Sequence, residues 1–346
     1  GSTIVGADKA RGQILVWTDT SLHGLQFIGP PFTFGLNQLG KNCGLLGQHA
    51  AVVVRDVSYW MGQNAFFVFD GTVKKLPCSV DDFVFENIDI NDLEWLYDCD
   101  YIINTAAETH VDNSIVKSDD FVHSNINGVN HLLELIRKKN NYKMPTLLHF
   151  STDEVYGDIV DGSHKETDLL KPSNPYSATK AAADQLILAW ARTYKVPYVI
   201  VRPANNYGIG QYVEKLIPKS CKLLSLGKKI QLHDDGEPYR MWLHAKDTAK
   251  AIIKIIEVDV QNEIYNITSR FEQKNIDTVK KILNLYLEDD TYNIDSYVDF
   301  GYKRDGQDVR YSIDDSKLRS LGWKETADFD EEIKNVVRFY KENFIW

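Results

Sequence analysis

The sequence predicts an α/β protein in which a β-rich opening segment precedes a mainly parallel sheet with helices. Two observations carry this prediction. Up to about Asp82, short apolar runs alternate closely with Gly, Pro and Asn, and no long amphipathic helical pattern separates them. From about Phe83 onward, apolar runs suited to buried strands alternate with helical patterns, which is typical of βαβ units.

The composition indicates a globular protein without a nucleic-acid or membrane partner. At 346 residues, of which 43% are apolar, the chain is long enough for one large or two modest domains. Its net charge of -10 argues against a surface for nucleic acid. No apolar run approaches the roughly 20 residues of a membrane helix and no signal-peptide pattern opens the sequence, so we expect a cytoplasmic protein. The cysteines are scattered without a Cys-x-x-Cys pair, so we expect reduced thiols and neither a disulfide frame nor a metal site.

The opening segment, residues 1–82, is predicted to form several short strands. The candidate strands are the apolar runs at residues 14–17, 51–54 and 65–69. Asp70-Gly71 is a strong hairpin signal after the last of them. Two stretches, W-T-D-T-S-L-H-G-L-Q-F-I-G-P-P-F-T-F-G and F-F-V-F-D-G-T-V-K-K-L-P-C, resemble part of a structural protein of tailed-phage particles.

A chain that binds a dinucleotide should show a strand, a glycine-rich turn and a helix whose N-terminus holds the pyrophosphate. The glycines at 40, 44 and 47 have a plausible spacing, but the apolar run at 52–54 follows too soon for an intervening helix. The sequence Gln-Phe-Ile-Gly at 26–29 is followed at once by two prolines and has no apolar strand before it. We interpret both as coincidences, so the usual first βαβ unit is missing from the sequence.

The densest set of reactive side chains lies between residues 150 and 180. The apolar run at 147–150 predicts a strand buried on both faces of a parallel sheet. Thr152, Asp153 and Glu154 would then lie at its carboxyl end, which is the edge where open α/β sheets bind ligands.

The helix that follows is predicted to begin at Pro175, with Asn174 as its N-cap. Tyr176 and Lys180 are four residues apart, so both project from one face of this helix. A lysine ammonium one turn away favours the phenolate and could make the tyrosine a base, although the same spacing also occurs in ordinary helix-surface pairs.

Six segments in fixed order carry a resemblance to a known family. They are A-A-E-T-H-V-D-N-S-I at 106–115, S-T-D-E-V-Y-G at 151–157, P-Y-S-A-T-K at 175–180, N-N-Y-G at 205–208, E-K-L-I-P at 214–218 and R-Y-S-I-D at 310–314. Together they resemble the extended short-chain dehydrogenase/reductases, and most closely the dTDP-glucose 4,6-dehydratases. The resemblance covers about residues 83–346.

The resemblance implies a Rossmann-like parallel sheet that lacks its usual first βαβ unit, with a smaller C-terminal substrate lobe. Residues 83–206, with returns near 240–268, would be the remainder of the NAD-binding domain. Residues 207–239 and 269–346 would form the substrate lobe, and 1–82 a β-rich segment of different origin. The resemblance implies that the helix through residues 181–194, together with an earlier helix, forms the interface of a homodimer; the alternative is that its apolar stripe simply packs on the sheet.

The resemblance also implies the ligands and the residues that hold them. The cofactor would be NAD, bound by Asp89, Ile90, Ala106, Ala107, Tyr176 and Lys180. The substrate would be a nucleotide-diphosphate sugar, bound by Asn205, Asn206, Lys215, Leu216, Arg240 and Arg310. The family usually has Asp where Met241 stands and His where Gln307 stands, so the nucleotide stays open.

The mechanism that the resemblance implies uses five side chains. Tyr176, supported by Lys180 and Thr152, would take the proton of the sugar 4-hydroxyl during oxidation at C4. Glu154 would then remove the C5 proton while Asp153 protonates the departing 6-hydroxyl, and hydride would return to C6. Two alternatives stay open: an epimerase or decarboxylase of the same superfamily, and an inactive fusion chain without cofactor binding.

Overall fold

The computed structural model of the chain describes residues 3–29, 34–47, 50–62, 65–76, 99–138, 143–303 and 308–343. The chain divides into two compact units, which we call the N-terminal unit (residues 1–93, with residue 346) and the C-terminal unit (residues 94–345). The predicted boundary near Phe83, Asp89, Ile90 and Gln307 lie outside the described residues, and the predicted domain limits stay predictions.

The described part of the N-terminal unit consists of two antiparallel sheets of four strands, which confirms the predicted β-rich segment. The first sheet contains, in spatial order, β1 (Ile4–Ala10), β2 (Gln13–Thr18), β3 (Ser21–Phe27) and β4 (Phe34–Lys41). The second contains, also in order, β5 (Ala51–Val54), β6 (Val57–Met61), β7 (Phe66–Phe69) and β8 (Val73–Lys75). β7 and β8 pair antiparallel around Asp70-Gly71, as the hairpin signal predicted.

Aromatic residues from both sheets form the core of the N-terminal unit. The ring centroids of Trp17 and Trp60 lie 5.8 Å apart edge to face, and Trp60 stacks on Phe67 at 5.5 Å. The indole N–H of Trp60 donates to the carbonyl of Cys43 at 2.8 Å, so its one polar group is satisfied inside the core. A Cβ on Gly44 would collide with the backbone of the turn after β2, so this glycine serves close packing within a β-unit.

The C-terminal unit alternates strands and helices, as the sequence predicted. Its strands are β9 (Tyr101–Asn104), β10 (Thr146–Phe150), β11 (Tyr198–Pro203), β12 (Asn205–Tyr207), β13 (Ile230–His233), β14 (Tyr239–His244), β15 (Glu263–Ile267), β16 (Glu272–Lys274) and β17 (Val298–Tyr302). Its α-helices are α1 (Val111–Val116), α2 (Asp119–Phe121), α3 (Gly128–Lys138), α4 (Pro175–Tyr194), α5 (Leu216–Ser225), α6 (Ala245–Val258), α7 (Asn275–Leu287), α8 (Ser316–Ser320) and α9 (Phe329–Glu342). A π-helical turn, Val122–Asn127, joins α2 to α3.

A parallel sheet with strand order β15-β11-β10-β9 forms the centre of this unit. Adjacent residues of its strands face opposite sides. Leu147 and Ile200 pack with α3 and α4, whereas Leu148, Val199 and Val201 pack with α6. Both faces are therefore covered, which explains why these strands read as continuous apolar runs.

Smaller elements form the rest of the C-terminal unit. β14 pairs parallel with β12 and antiparallel with β16, and β13 pairs with β17. α5 and α7 cover the β13–β17 pair around a second core that includes Ile230, Val279 and Leu283. No helix in the described ranges is long and apolar enough to cross a membrane.

Candidate active site

A short 3-10 turn at the carboxyl end of β10 presents Asp153 and Glu154. The hydroxyl of Thr152 caps the turn by accepting the N–H of Glu154 at 3.3 Å, and it lies 3.2 Å from Oδ1 of Asp153. Gly157 ends the turn with a φ of 79° and packs against the carbonyl of Lys171, where a Cβ would collide. The predicted strand and the position of these acids at its carboxyl end are confirmed.

Helix α4 begins as the sequence predicted and fixes Tyr176 at its first turn. Asn174 and Ser177 form a reciprocal capping box, with Pro175 at the first helical position. The backbone N–H of Tyr176 donates to Oγ of Ser114 at 3.1 Å, which ties the free end of the helix to α1. The tyrosine is buried, with 7% of its surface exposed.

Lys180 lies one turn further along α4 and is also buried. Its Nζ donates to the carbonyl of Phe150 at 2.6 Å, at the end of β10, and lies 3.4 Å from Nε2 of His149. Burial lowers the pKa of Lys180 to about 8, although the negative charge of Asp184 opposes this shift. This lysine therefore changes charge much nearer neutral pH than an exposed lysine does.

The two adjacent acids have raised pKa values. Burial, followed by the charge of Glu154, raises the pKa of Asp153 to about 7, against the opposing influence of Thr152 and Arg240. Burial also raises the pKa of Glu154, while Arg240 acts in the opposite direction and Asp308 adds to the increase. Oδ2 of Asp153 is buried without a hydrogen-bond partner among the described residues. Asp153 is thus suited to carry a proton near neutral pH.

The pKa of Tyr176 differs from what the helical spacing suggested. Burial raises it, the charges of Glu154 and Asp153 raise it further, and the hydrogen bond from Thr152 lowers it. The phenol and the two carboxyls therefore compete for negative charge, and protonation of the acids favours the phenolate. The hydroxyl of Thr152 hydrogen-bonds both the phenol of Tyr176 and Oδ1 of Asp153, which places these side chains in one site.

Arg240 lies beside the acids on β14. Its guanidinium covers the ring of Tyr311 at 4.7 Å and donates to the carbonyls of Tyr239 and Asp308. The hydroxyl of Tyr311 donates to Oδ2 of Asp308 and lies 3.5 Å from Oε2 of Glu154. The structure thus brings Arg240, a predicted substrate residue, close to Asp153 and Glu154, the two predicted catalytic acids.

Most of the other predicted substrate residues contact protein groups in this structure. Asn206 is engaged within the protein, since its amide nitrogen donates to the carbonyl of Ala204 and its amide oxygen accepts from Thr248. Lys215 donates to the carbonyl of Thr109 at 2.9 Å and so joins the segment after β9 to the start of α5, where Leu216 packs into the second core. Asn205 is half-buried on β12.

Arg310 is held by protein groups. Its Nε donates to Glu272 at 2.7 Å, and Nη1 donates to the carbonyl of Gly162 at 3.0 Å. Its backbone N–H donates to Asp158. These contacts hold Arg310 and Glu272 of β16 to the loop after Gly157, and the predicted contact with a diphosphate stays a prediction.

The described residues fit one end of a dinucleotide. Ala106 is exposed and Ala107 half-buried at the carboxyl end of β9, where small side chains permit a close approach of a ligand to the backbone. Lys180, Tyr176 and the unpartnered oxygen of Asp153 provide buried polar atoms that suit nicotinamide ribose and a sugar. For the pyrophosphate end, the sequence has no glycine-rich turn between a strand and a helix.

Sequence reasoning missed several polar residues of the site. Ser114, Asn104, His149, Asp308 and Tyr311 contact the proposed catalytic residues, directly or through one neighbour. Tyr311 lies within the segment 310–314 and Ser114 within the segment 106–115, so these two could have been found from the segments that carry the resemblance. Asn104, His149 and Asp308 lie just outside those segments, and no pattern in the sequence marks them. His110, by contrast, is the N-cap of α1, where its Nδ1 accepts the backbone N–H of Asn113 at 3.3 Å.

Comparison with known proteins places this geometry in a family. A family model for GDP-mannose 4,6 dehydratase matches residues 72–336. A probable dTDP-glucose 4,6-dehydratase of Sinorhizobium fredii is 40% identical over 272 residues, which cover 75% of this chain and 77% of that protein. The dTDP-glucose 4,6-dehydratase of Haemophilus influenzae is 37% identical over 285 residues, which cover 75% of this chain and 83% of that protein.

Solved structures agree. DesIV, a dTDP-glucose 4,6-dehydratase from Streptomyces venezuelae solved with NAD bound, superposes with a TM-score of 0.67 at 36% identity and covers 75% of this chain and 80% of its own. The UDP-glucuronic acid 4-epimerase of Bacillus cereus, solved with UDP-glucuronic acid and NAD, has a TM-score of 0.67 at 23% identity, with coverage of 74% and 79%. The second likeness supports the fold alone.

Proposed function

The chain belongs to the GDP-mannose 4,6 dehydratase family, and from that premise we propose that it is an NAD-dependent nucleotide-sugar 4,6-dehydratase of the dTDP-glucose 4,6-dehydratase type. The substrate class is a nucleotide-diphosphate hexose. The product is the corresponding 4-keto-6-deoxy sugar nucleotide, formed by loss of water across C5 and C6. The resemblance seen in the sequence and the relatives at 36–40% identity support this assignment.

The observation that carries the proposal is the environment of Asp153. Elimination of a 6-hydroxyl needs an acid that still holds its proton near neutral pH, beside a base that can take the C5 proton. The pKa of Asp153 is raised to about 7 by burial and by Glu154, its neighbour on the same turn. A simple 4-epimerase needs no such acid, so the pair favours dehydration.

Each side chain of the site has one task in the proposed mechanism. NAD, when bound, supplies the acceptor and later the donor of the hydride. Tyr176 takes the proton from the 4-hydroxyl, and Thr152 holds the phenol oxygen in place. Glu154 then removes the C5 proton, and Asp153 gives its proton to the departing 6-hydroxyl, which leaves as water. The positive charge of the Arg240 guanidinium stabilises the ionised forms of the two acids.

The decisive experiment follows a deuterium label. A nucleotide-diphosphate glucose deuterated at C4 is incubated with the protein and NAD, and the product is analysed by NMR and mass spectrometry. We expect a 4-keto-6-deoxy product with the deuterium at C6, because the hydride leaves C4 and returns to C6. An epimerase would retain the 6-hydroxyl and return the deuterium to C4, which would contradict the proposal. Testing glucose activated with different nucleoside diphosphates identifies the preferred nucleotide.

A titration with NAD tests the inactive-fusion alternative. We expect binding that is weakened by the missing glycine-rich turn, since backbone N–H groups at a helix N-terminus supply much of the pyrophosphate affinity. The titration is made by absorbance or fluorescence, with Lys180→Met as the variant that removes a contact to the nicotinamide half. No binding at millimolar NAD would favour the inactive chain and reject both enzyme assignments.

We also propose a cytoplasmic homodimer. The long helix α4 lies beside α3 on one face of the parallel sheet, and the family resemblance implies that these helices form the subunit interface. Light scattering of the purified protein tests this, and a monomer at micromolar concentration would contradict it. Cell fractionation tests the location.

A further inference from the structure

A row of polar side chains leads from the end of β9, across β10, to Lys180 on α4. The amide nitrogen of Asn104 lies 3.1 Å from Nδ1 of His149, and Nε2 of the same imidazole lies 3.4 Å from Nζ of Lys180. His149 is fully buried and Lys180 is nearly so. Of this row, the proposed mechanism uses only the lysine.

The amide of Asn104 has a defined orientation. Its Oδ1 accepts the backbone N–H of Ala106 at 3.2 Å, so its NH₂ group faces His149. An NH₂ group can only donate, and therefore Nδ1 of His149 must accept. Turning the amide over would lose the bond from Ala106.

The tautomer of His149 follows from this orientation. A neutral imidazole that accepts at Nδ1 carries its proton at Nε2. Burial keeps the pKa of His149 well below its ordinary value whether or not Lys180 is charged, so the ring stays neutral. Its Nε2–H consequently points at Nζ of Lys180.

In this tautomer, the Nε2–H donor of His149 faces Nζ of Lys180, whereas a lysine ammonium would need a hydrogen-bond acceptor at that position. An ammonium has three donors and no acceptor, so it opposes the Nε2–H of His149. The neutral amine has a lone pair and can accept that N–H while still donating to the carbonyl of Phe150. One arrangement satisfies every polar atom of the row, and in it Lys180 has no charge.

We infer that Asn104 and His149 are positioning residues that fix the Nε2–H tautomer of the imidazole and thereby favour the neutral amine of Lys180. This inference deepens the proposed function, because Lys180 is the group expected to support the base Tyr176. Lys180 then exchanges a proton with its surroundings within the working pH range, and its role is not limited to that of a fixed positive charge.

The charged groups around this row are few among the described residues. On α4, Asp184 acts on Lys180 in the direction of the ammonium. From β11, Arg202 pairs with Asp184 at 3.0 Å and offsets that charge. Glu154 and Asp153, on the turn after β10, act on the phenol of Tyr176. Asn104 is the residue of β9 that contacts His149, and its side chain is uncharged.

The first test measures the tautomer of His149 in the unaltered protein. Two-bond ¹H–¹⁵N correlation spectra of protein with ¹⁵N-labelled histidine distinguish the Nε2–H from the Nδ1–H tautomer, and His149→Gln identifies the resonance. We expect a neutral ring with its proton on Nε2 from pH 6 to pH 9. A proton on Nδ1 would overturn the inference. The tautomer is read in the unaltered protein, and the measurement does not require turnover.

The second test changes Asn104 and follows the pKa of Lys180 by NMR of ¹³C-labelled lysine, with Lys180→Arg for assignment. In Asn104→Asp the carboxylate can only accept, so the imidazole proton moves to Nδ1 and Nε2 accepts from the ammonium. We expect the pKa of Lys180 to rise by about one unit or more. Asn104→Leu separates this effect from the effect of an added negative charge. Leucine removes the donor to Nδ1 of His149 without adding a charge, so the pKa of Lys180 should still rise. If leucine acted only by adding apolar surface, the pKa of Lys180 would fall instead.

Asn284→Asp, the same chemical change on the exposed face of α7, is the matched control and should leave Lys180 unchanged. An unchanged or lowered pKa of Lys180 in Asn104→Leu would overturn the inference. If the protein turns over substrate, the limb of its pH profile for kcat/KM that reports Lys180 should move upward in Asn104→Asp by the same shift. Absence of turnover would count against the proposed function only, because the two NMR measurements do not depend on it.

Discussion

At the scale of single residues, the site depends on how differently two neighbouring acids are placed. Oδ2 of Asp153 is buried and has no hydrogen-bond partner among the described residues. Glu154 faces Arg240 and the hydroxyl of Tyr311. Adjacent positions on a 3-10 turn point in different directions, so consecutive residues in the sequence acquire different environments. The proposed mechanism depends on this difference, because it needs one acid to donate a proton while the other accepts one.

The first prediction concerns the stability of Asp153→Asn. The folded protein raises the pKa of this carboxyl to about 7, whereas the unfolded chain has a value near 3.9. Between these values the folded state holds a proton that the unfolded state has lost, so the group makes stability fall as pH rises from about 4 to 7. Removing the carboxyl should therefore stabilise the protein more at pH 8 than at pH 5, by about 2–3 kcal/mol.

Urea unfolding at both pH values measures this difference. Any cost of burying the new amide is the same at each pH and cancels in the comparison. Asp120→Asn, which removes an exposed acid paired with Lys117, is the control and should show no such pH dependence. Equal effects of Asp153→Asn at pH 5 and pH 8 would mean that the carboxyl has an ordinary pKa and is not the proton donor.

At the scale of elements, a buried ion pair joins α4 to the parallel sheet. Arg202 on β11 donates to Asp184 on α4 at 3.0 Å, and both side chains are almost wholly buried. Ser151 donates to the same carboxylate at 3.0 Å, and Tyr156 lies 2.7 Å from the guanidinium. This network sets the distance between the helix that carries Tyr176 and the strand end that leads to the acids.

The second prediction is that Asp184→Asn strongly destabilises the protein. It would leave Arg202 charged and buried without a counter-ion, which typically costs about 3–5 kcal/mol. Thermal unfolding measures the change. Asp100→Asn breaks an exposed pair with Lys143 at 2.7 Å and should leave the midpoint unchanged. Equal effects of the two variants would mean that the buried pair contributes no more than a surface pair.

The third prediction compares two glycines in the same loop region. Gly157 and Gly162 have φ angles of 79° and 81°, so alanine at either position is strained by about 1 kcal/mol or more. A Cβ at Gly157 would also collide with the carbonyl of Lys171, whereas nothing lies within 4 Å of a Cβ at Gly162. Gly157→Ala should lower the free energy of unfolding by about 1–3 kcal/mol more than the backbone strain alone does, and it should displace Glu154.

Denaturant unfolding measures both variants, and turnover reports the displacement. Gly162→Ala is the matched control, because it carries the backbone strain without the collision. If both alanines cost the same, the close approach of Gly157 to Lys171 does not limit the position of the catalytic turn.

At the scale of the whole molecule, the sequence predicted those elements whose patterns are local. The strand at 147–150 follows from an apolar run and the helix start from Asn174 and Pro175, and the structure confirms both. The approach of Arg240 to the acids could not be derived from local patterns, because it depends on β14 and on Tyr311, far apart in the chain. Nor could spacing predict the direction of the Tyr176 pKa shift, since burial and the charges of two carboxyls raise it.

The segment before residue 83 shows a different limit of sequence reasoning. Its β-rich character was predictable from closely spaced turn signals, and its glycine spacing was correctly separated from a dinucleotide-binding turn. Its resemblance to a phage structural protein stays a prediction. The family match begins at residue 72, ahead of the predicted boundary. A change of folding pattern along a chain need not coincide with the limit of a family match.

The last prediction follows from the separate cores of the two units. The core of the N-terminal unit is built around Trp17, Trp60 and Phe67, and the sheet core of the C-terminal unit around residues such as Ile200. Each core consists of residues from its own unit, so each should unfold as a cooperative block. Trp60→Ala should cost the N-terminal unit about 3–5 kcal/mol, and Ile200→Ala should cost the C-terminal unit about 2–5 kcal/mol.

Differential scanning calorimetry with tryptophan fluorescence can follow both blocks in the full chain. We expect two transitions, with Trp60→Ala lowering one and Ile200→Ala lowering the other, because a cavity weakens the packing only of the core that contains it. The two substitutions are controls for each other. A single transition lowered equally by both would show that the two cores unfold together, and the β-rich unit would then contribute directly to the stability of the catalytic unit.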